Sequence, residues 1–325
     1  MKKTSTAHRA PAQDAPTTTE RGDASTPRTL EFTVAGTRCE ASHFPAAHDA
    51  LASDAGRPVV VLGHGLGGTR DSGLEPFARA FAEAGLDAVT FDYRGFGTSG
   101  GDERQVVSLD AQVEDWRGAV DAARALPGVD PARVVLWGVS LAGGHVLRLA
   151  AERDDVAAVV SVVPMVDGLA AMRHALAAHG VGALVRATGQ GIAARVGVAR
   201  GRAPMMPLAA RPGERGALTV PGALEDYLSI AGPSWRNEVR ADVGLELGTR
   251  APAEAAAQVT VPVLVQICDF DVSAPPFAAA EAAFAARAEV RHYPGDHFDV
   301  FPGKPFHDAA VAHAVYFLTR HLRPA

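Results

Sequence analysis

The stretch Arg133 to Leu149, RVVLWGVSLAGGHVLRL, constrains this chain more than any other. Val134 to Trp137 is a short apolar run rich in β-branched residues, preceded by the turn signal Val129-Asp130-Pro131. That pattern reads as a fully buried strand. Beyond Gly138-Val139-Ser140 the pattern becomes helical, with Leu141, Val146 and Leu149 spaced for one buried side. A serine between a buried strand and a helix, with small residues two positions before and two after, has the form of a nucleophile elbow. Side chains at the flanking positions would collide in so tight a turn, so Gly138 and Ala142 must be small. Ser140 then stands exposed at the carboxyl end of the sheet. The helix beginning there directs N–H groups and the positive end of its dipole at the reacting oxygen. Glycine is usual where this chain has Ala142, a departure of one methyl. Gly-x-Ser is also a common turn tripeptide, so Ser140 needs partners before it carries chemistry.

Those partners must come from a chain of 325 residues, enough for one large α/β domain with an insertion or for two modest domains. Hydrophobic residues make up 47% and charged residues 21%, ordinary values for a globular protein. The formal net charge is −6 and no basic stripe crosses the folded part, which argues against a nucleic-acid partner. Cys39 and Cys268 are too few and too far apart for a disulfide framework, and no Cys/His spacing suggests zinc. Cys268 ends an apolar run and reads as an inert buried thiol. No apolar stretch is long enough to span a membrane. Lys2 and Lys3 are followed by polar residues where a signal peptide would be apolar, so a cytoplasmic location is expected.

Along the chain, residues 1–28 are rich in Thr, Ala, Pro and charge and are expected to be a disordered extension. Thr29 to Val34 and Arg38 to Phe44 flank Ala35-Gly36-Thr37 and suggest an antiparallel hairpin. Buried strands are then expected at Pro58 to Leu62, Leu86 to Phe91, the elbow strand and Val156 to Val163. Helices are expected at Pro76 to Ala84, Leu109 to Leu126 and after the elbow, with Val113, Trp116, Val120 and Ala123 on the buried side of the second. Alternating elements of this length imply crossovers and a parallel sheet. The rhythm breaks from Pro164 to about Thr260, where strand signals are absent. Helical pieces such as Leu169 to Ala178 surround a Gly/Pro/Arg-rich middle from Gly189 to Gly216. It resumes with a strand at Val261 to Ile267, a helix at Pro276 to Arg287, a strand at Glu289 to Tyr293 and a helix at Phe306 to Leu322. The expected division is a core of 29–163 and 261–325 with an inserted, largely helical lid over 164–260.

A serine hydroxyl is a poor nucleophile without a base in reach and a group to orient that base. Two later strand ends carry suitable residues. The first reads Cys268-Asp269-Phe270-Asp271-Val272-Ser273-Ala274-Pro275 and the second Pro294-Gly295-Asp296-His297-Phe298-Asp299. The order Ser140, Asp, His297 is one of the known orders for such a set. Asp269, Asp271 and Asp167 compete for the acid; Asp299 reads as surface charge. One oxyanion donor is expected at Leu141 N–H, the other in the loop His64-Gly65-Leu66-Gly67-Gly68. His64 reads as shaping that loop, and the absence of a following Gly-Lys-Ser/Thr disfavours a phosphate loop. Arg94 reads as half of a scaffold ion pair. His174, His179, His292, His307 and His313 lack ligand-like partners. Leu169, Met172, Leu176, Met205 and Met206 either line an apolar acyl pocket or form the core of the insertion.

Taken together, the His64–Gly68 loop, Asp92-Tyr93-Arg94-Gly95-Phe96-Gly97, the elbow, the Asp271 loop and Gly295-Asp296-His297-Phe298 resemble the α/β-hydrolase family, from about Thr29 to the C-terminus. The nearest likeness is to esterases, lysophospholipases and acyl-peptidase-like enzymes with helical caps. The resemblance implies a mostly parallel sheet of about eight strands flanked by helices. It selects Asp271, four residues before a proline, as the acid, and Leu66 N–H as the second oxyanion donor. It further implies a serine hydrolase acting on a small-molecule ester or acyl substrate, with no metal or organic cofactor. Thioester and amide cleavage use the same residues, and a hydrolase-like binding protein without turnover is the non-enzymatic alternative. The sequence leaves acyl length and oligomeric state open.

Overall fold

The computed structural model describes residues 26–171, 173, 181–201, 204–248 and 253–324. Eight strands form one sheet. The chain opens with β1 (Arg28–Val34) and β2 (Thr37–Phe44), an antiparallel hairpin closed by Ala35 and Gly36, both at positive φ. Two consecutive positive φ values match the twist of the flanking strands. β3 (Arg57–Gly63) runs through the sheet centre, followed by α1 (Glu75–Glu83), β4 (Asp87–Phe91) and α2 (Leu109–Arg124). β5 (Val129–Val139), α3 (Leu141–Glu152) and β6 (Val156–Val162) follow. After a long intervening segment come β9 (Val263–Cys268), α8 (Pro276–Ala285), β10 (Glu289–Tyr293) and α9 (His307–His321).

The strand order is β1-β2-β4-β3-β5-β6-β9-β10. The pairs β1–β2 and β2–β4 are antiparallel and all the others parallel. Val59 to Leu62, Ala88 to Phe91, Val134 to Trp137 and Val263 to Cys268 are buried, as strands covered on both faces require. α2 is started by Ser108, whose side chain accepts a hydrogen bond from Ala111 N–H, and it buries Val113, Trp116, Val120 and Ala123 against the sheet. The topology fixes where chemistry can sit. From β3 the chain first moves outward to β4 and then returns to lay β5 on the other side of β3, which makes a switch point. The loops leaving β3 and β5 therefore lie side by side at the carboxyl edge.

Two expectations need correction. The elbow strand begins at Val129, not Val134. Val129 pairs with Arg57 and Val134 with Val59, so the turn-like residues between them are absorbed as an irregularity in the ladder. Asp130 still behaves as a turn residue, its carboxylate accepting Ala132 N–H at 3.0 Å. The second correction concerns the segment between β6 and β9. The stretch read as a Gly/Pro/Arg-rich middle begins inside a helix, α4 (Val181–Ala199). Ala, Val and Arg carry the helix through Gly189 and Gly191, and no proline intervenes before Pro204. The segment also holds a two-stranded ribbon of β7 (Met205–Met206) and β8 (Val239–Arg240), two residues each and too short to register as a sequence pattern. The remaining helices are α5 (Ala223–Ile230), α6 (Val243–Leu247) and α7 (Ala253–Ala256). Most of the expected N-terminal extension, together with Met172, His174, Leu176 and His179, lies outside the described residues.

Candidate active site

Ser140 joins β5 to α3 with φ 58° and ψ −119°, a conformation that L-residues rarely adopt. Its N–H donates to Val162 O at 2.9 Å, and its own carbonyl accepts Gly143 N–H and Met165 N–H, each at 2.9 Å. The strained residue is thus held by hydrogen bonds from both sides. A Cβ at Gly138 would lie 2.2 Å from Ala142 O, so the crowding in the turn falls on the backbone of residue 142. That is why a methyl at Ala142 fits although one at Gly138 would not.

The side chain of Ser140 meets the two later strand ends. Its Oγ lies 3.0 Å from Nε2 of His297, and Nδ1 of His297 lies 2.6 Å from Oδ2 of Asp271. Asp271 is 3% exposed and His297 5%. The other Asp271 oxygen accepts Ser273 N–H at 2.8 Å and Ala274 N–H at 2.6 Å, which fixes the carboxylate just before α8. In the neutral imidazole, Nδ1–H donates to Asp271 and Nε2 accepts from the serine hydroxyl. Burial disfavours the imidazolium, but the charge of Asp271 and its hydrogen bond, with smaller contributions from Asp296 and Asp226, outweigh that and hold the His297 pKa above its ordinary 6.5.

The competing acids are occupied elsewhere. Asp269 pairs with His292 at 2.6 Å in an exposed position. Asp167 accepts Leu169 N–H and Ala170 N–H at the start of a helix. Asp299, read from the sequence as surface charge, accepts Asp296 N–H at 2.8 Å and so organises the histidine loop. Asp296 has a role that its sequence position did not reveal: its Oδ1 accepts both His297 N–H at 2.7 Å and Val272 N–H at 2.9 Å, stapling the His297 loop to the Asp271 loop.

The loop after β3 passes directly over the serine. A Cβ at Gly65 would come within 2.8 Å of Ser140 Cβ, so this close approach requires glycine. Among the described residues, the backbone N–H groups of Leu66 and Leu141 have no hydrogen-bond partner. His64 is buried, and its Nδ1–H donates to Gly65 O at 2.9 Å. Burial pushes its pKa below the ordinary value, so it serves as a neutral tether of the loop. Arg94 is ion-paired with Asp115 and Glu114 and donates to Ala111 O, which anchors the loop after β4 to α2. Cys39 and Cys268 are buried, unbridged thiols, each pushed up by burial. Among the described residues no group of three or more His, Cys, Asp or Glu side chains is arranged to hold a metal ion, and no helix is long and apolar enough to cross a membrane.

The sheet order and the loops gathered at its carboxyl edge are those of an α/β hydrolase. Residues 54–296 match the serine aminopeptidase S33 family, and the chain belongs to that family. It is 36% identical over 267 residues to the quorum-quenching protein AidA of Acinetobacter baumannii, covering 81% of this chain and 86% of that protein. A shorter match, 33% identical over 114 residues, links it to the thiohydrolase AneE of Aspergillus aculeatus, covering 35% of this chain and 36% of that one. Among solved structures, DcsB in complex with its substrate analogue superposes with a TM-score of 0.75 at 23% identity, covering 91% of this chain and 99% of DcsB.

Proposed function

We propose that this protein is a serine hydrolase that cleaves carboxylic esters of small molecules through an acyl-enzyme. The observation that carries the reading is the continuous line of hydrogen bonds from Ser140 Oγ through His297 to Asp271. In the proposed cycle His297 Nε2 takes the hydroxyl proton as Oγ bonds to the ester carbonyl carbon. The carbonyl oxygen becomes an oxyanion facing Leu66 N–H and Leu141 N–H. When the tetrahedral intermediate collapses, the bond to the leaving oxygen breaks and His297 returns the proton to it. Water then attacks the acyl carbon as His297 takes its proton; the bond to Ser140 Oγ breaks, His297 returns the proton to Oγ, and the carboxylic acid leaves. Asp271 keeps the imidazole in the right tautomer and stabilises the imidazolium. Each oxyanion donor contributes about 3 kcal/mol in comparable sites.

In the same proposal the segment 164–260 roofs the acyl pocket, because open α/β sheets bind ligands at this edge. The likeness to a quorum-quenching protein makes bacterial signal molecules that carry an ester bond, cyclic or open, the first small molecules to test under this reading. Thioester cleavage is the second reading, favoured by the match to a thiohydrolase, and amide cleavage is open to the same chemistry. The test is labelling by a fluorophosphonate probe together with turnover of p-nitrophenyl esters, thioesters and aminoacyl amides of varied acyl length. Labelling that maps to Ser140 and disappears in Ser140→Ala along with ester turnover supports the reading. A folded protein that takes no label would instead be a binding protein built on the hydrolase fold.

A further inference from the structure

We propose that Tyr227 is a positioning residue that aims the Leu66 N–H at the oxyanion; the proposal rests on the serine-hydrolase reading above. Tyr227 lies on α5, in the segment between β6 and β9, and its hydroxyl donates to Leu66 O at 2.7 Å across 161 positions of sequence. The ring stacks on Trp235, with centroids 5.8 Å apart, and meets Phe298 edge-on at 5.1 Å. Phe298 in turn packs against the ring of His297 at 5.3 Å. One buried side chain therefore touches the oxyanion loop and braces the base.

The need for such a contact arises in the loop itself. Leu66 is flanked by Gly65 and Gly67, which leave the backbone wide conformational freedom. Two successive peptide planes meet at the Leu66 Cα. The first carries Gly65 C=O and Leu66 N–H on opposite edges, since a trans peptide is planar. Its carbonyl is held by His64 Nδ1–H at 2.9 Å and by Gly68 N–H at 3.3 Å. The second carries Leu66 C=O, and Tyr227 holds it. Anchored only at its carbonyl oxygen, the first plane can still pivot; by holding the second plane, Tyr227 restrains φ and ψ of Leu66 and with them that pivot, and so the direction of the N–H. Leu208, also from the intervening segment, packs against Gly67 and supports the loop from the same side. Burial raises the phenol's pKa, which favours the protonated hydroxyl that donates to Leu66 O.

Tyr227→Phe keeps the ring against Trp235 and Phe298 and removes only the donor. With sites counted by fluorophosphonate labelling, kcat/KM for a p-nitrophenyl ester should fall between about 10- and 100-fold, short of the loss of a whole donor. Affinity for a boronic acid, whose tetrahedral adduct uses the oxyanion donors, should fall by the same factor. The acid limb of the pH profile should not move, because His297 keeps its partners. Trp235→Leu, which loosens the stack but keeps the hydroxyl, should lower Tm with a smaller change in boronate affinity. A labelled Tyr227→Phe protein with wild-type kcat/KM and boronate affinity overturns the proposal alone. A wild-type protein that takes no label overturns the hydrolase reading with it. If Tyr227→Phe does not fold, 3-fluorotyrosine at position 227 preserves the bond. Its fluorine resonance should shift when the boronate adduct forms, and an unmoved resonance overturns the proposal.

Discussion

His297 Nε2 lies 3.0 Å from Ser140 Oγ although the two residues are 157 positions apart in sequence. That separation is spanned by β6, β9 and β10 and by the whole segment between β6 and β9, so the distance depends on the fold closing correctly. Ser140→Ala should lower ester turnover by about 10⁴-fold or more, as removal of such a nucleophile does elsewhere. Steady-state kinetics with p-nitrophenyl acetate checks it, with circular dichroism confirming the fold.

The backbone at Ser140 gives a separate stability prediction. Its dihedral angles are those of a strained L-residue, a cost of order 1–3 kcal/mol. Glycine has no such cost there but loses more chain entropy on folding, by roughly 0.5–1 kcal/mol. Ser140→Gly should therefore be more stable than Ser140→Ala by about 1 kcal/mol in urea unfolding. A reversed order would mean that the turn is not strained in solution.

Under the proposed function the raised pKa of His297 sets the pH dependence. As the proposed base it must be neutral, so kcat/KM should fall as pH drops through the folded value, with its midpoint above 6.5. Asp271→Asn removes the main charge that favours the imidazolium and should move that midpoint down. Stability runs the other way. A histidine whose pKa is raised by folding contributes its full stabilisation below the unfolded pKa and loses it as pH rises through the folded one. Kinetic profiles and melting curves across this range check both signs.

The two aspartates of one loop should behave differently. Asp271 is buried and bonded to His297, whereas Asp269 pairs with His292 at the surface. Asp271→Asn should cost about 10⁴ in kcat. Asp269→Asn should leave kcat within a factor of two or so and change stability by less than about 1 kcal/mol. Parallel assays of the two variants decide the assignment.

The turn before the serine predicts an asymmetry. Gly138→Ala drives a methyl into the backbone of Ala142 and should destabilise the protein by about 3 kcal/mol, at the upper end for overpacking. Ala142→Gly removes a buried methyl from the first turn of α3 and should cost about 1 kcal/mol. Denaturant midpoints measure both.

The sheet was legible because its central strands are uninterrupted apolar runs and its helices carry the complementary period, as in Val134 to Trp137 and in α2. Ser140 stood out because it directly follows such a run; His297 stood out only by its place in the loop after β10, whose sequence EVRHY is not an apolar run. Which aspartate bonds to His297 was not settled by pattern alone: Asp167, Asp269 and Asp271 all come after strands, and what separates them is where their carboxylates find partners, a three-dimensional property. The segment between β6 and β9 was the least legible. Its two-residue strands have no period, and α4 is built from the same Gly-, Val- and Arg-rich vocabulary that elsewhere makes loops. Tyr227 gave no signal, since its hydrogen bond is to a main-chain carbonyl far away in sequence. Asp296 was visible only as a neighbour of His297, while its effect comes from a bond to Val272.

The hydrogen bonds that secure Ser140 end on Val162 and Met165, at the point where the chain leaves β6 and the intervening segment begins. Gly143 and Pro164 are packed so closely there that a Cβ on the glycine would lie 2.8 Å from the proline ring. The first few residues of that exit are thus part of the mounting of Ser140, and the remainder of the segment hangs from a fixed bracket. Under the proposed function, exchanging the chain beyond Met165 should therefore change which substrates are admitted, whereas changes from Val162 to Met165 should disturb the Ser140 turn itself.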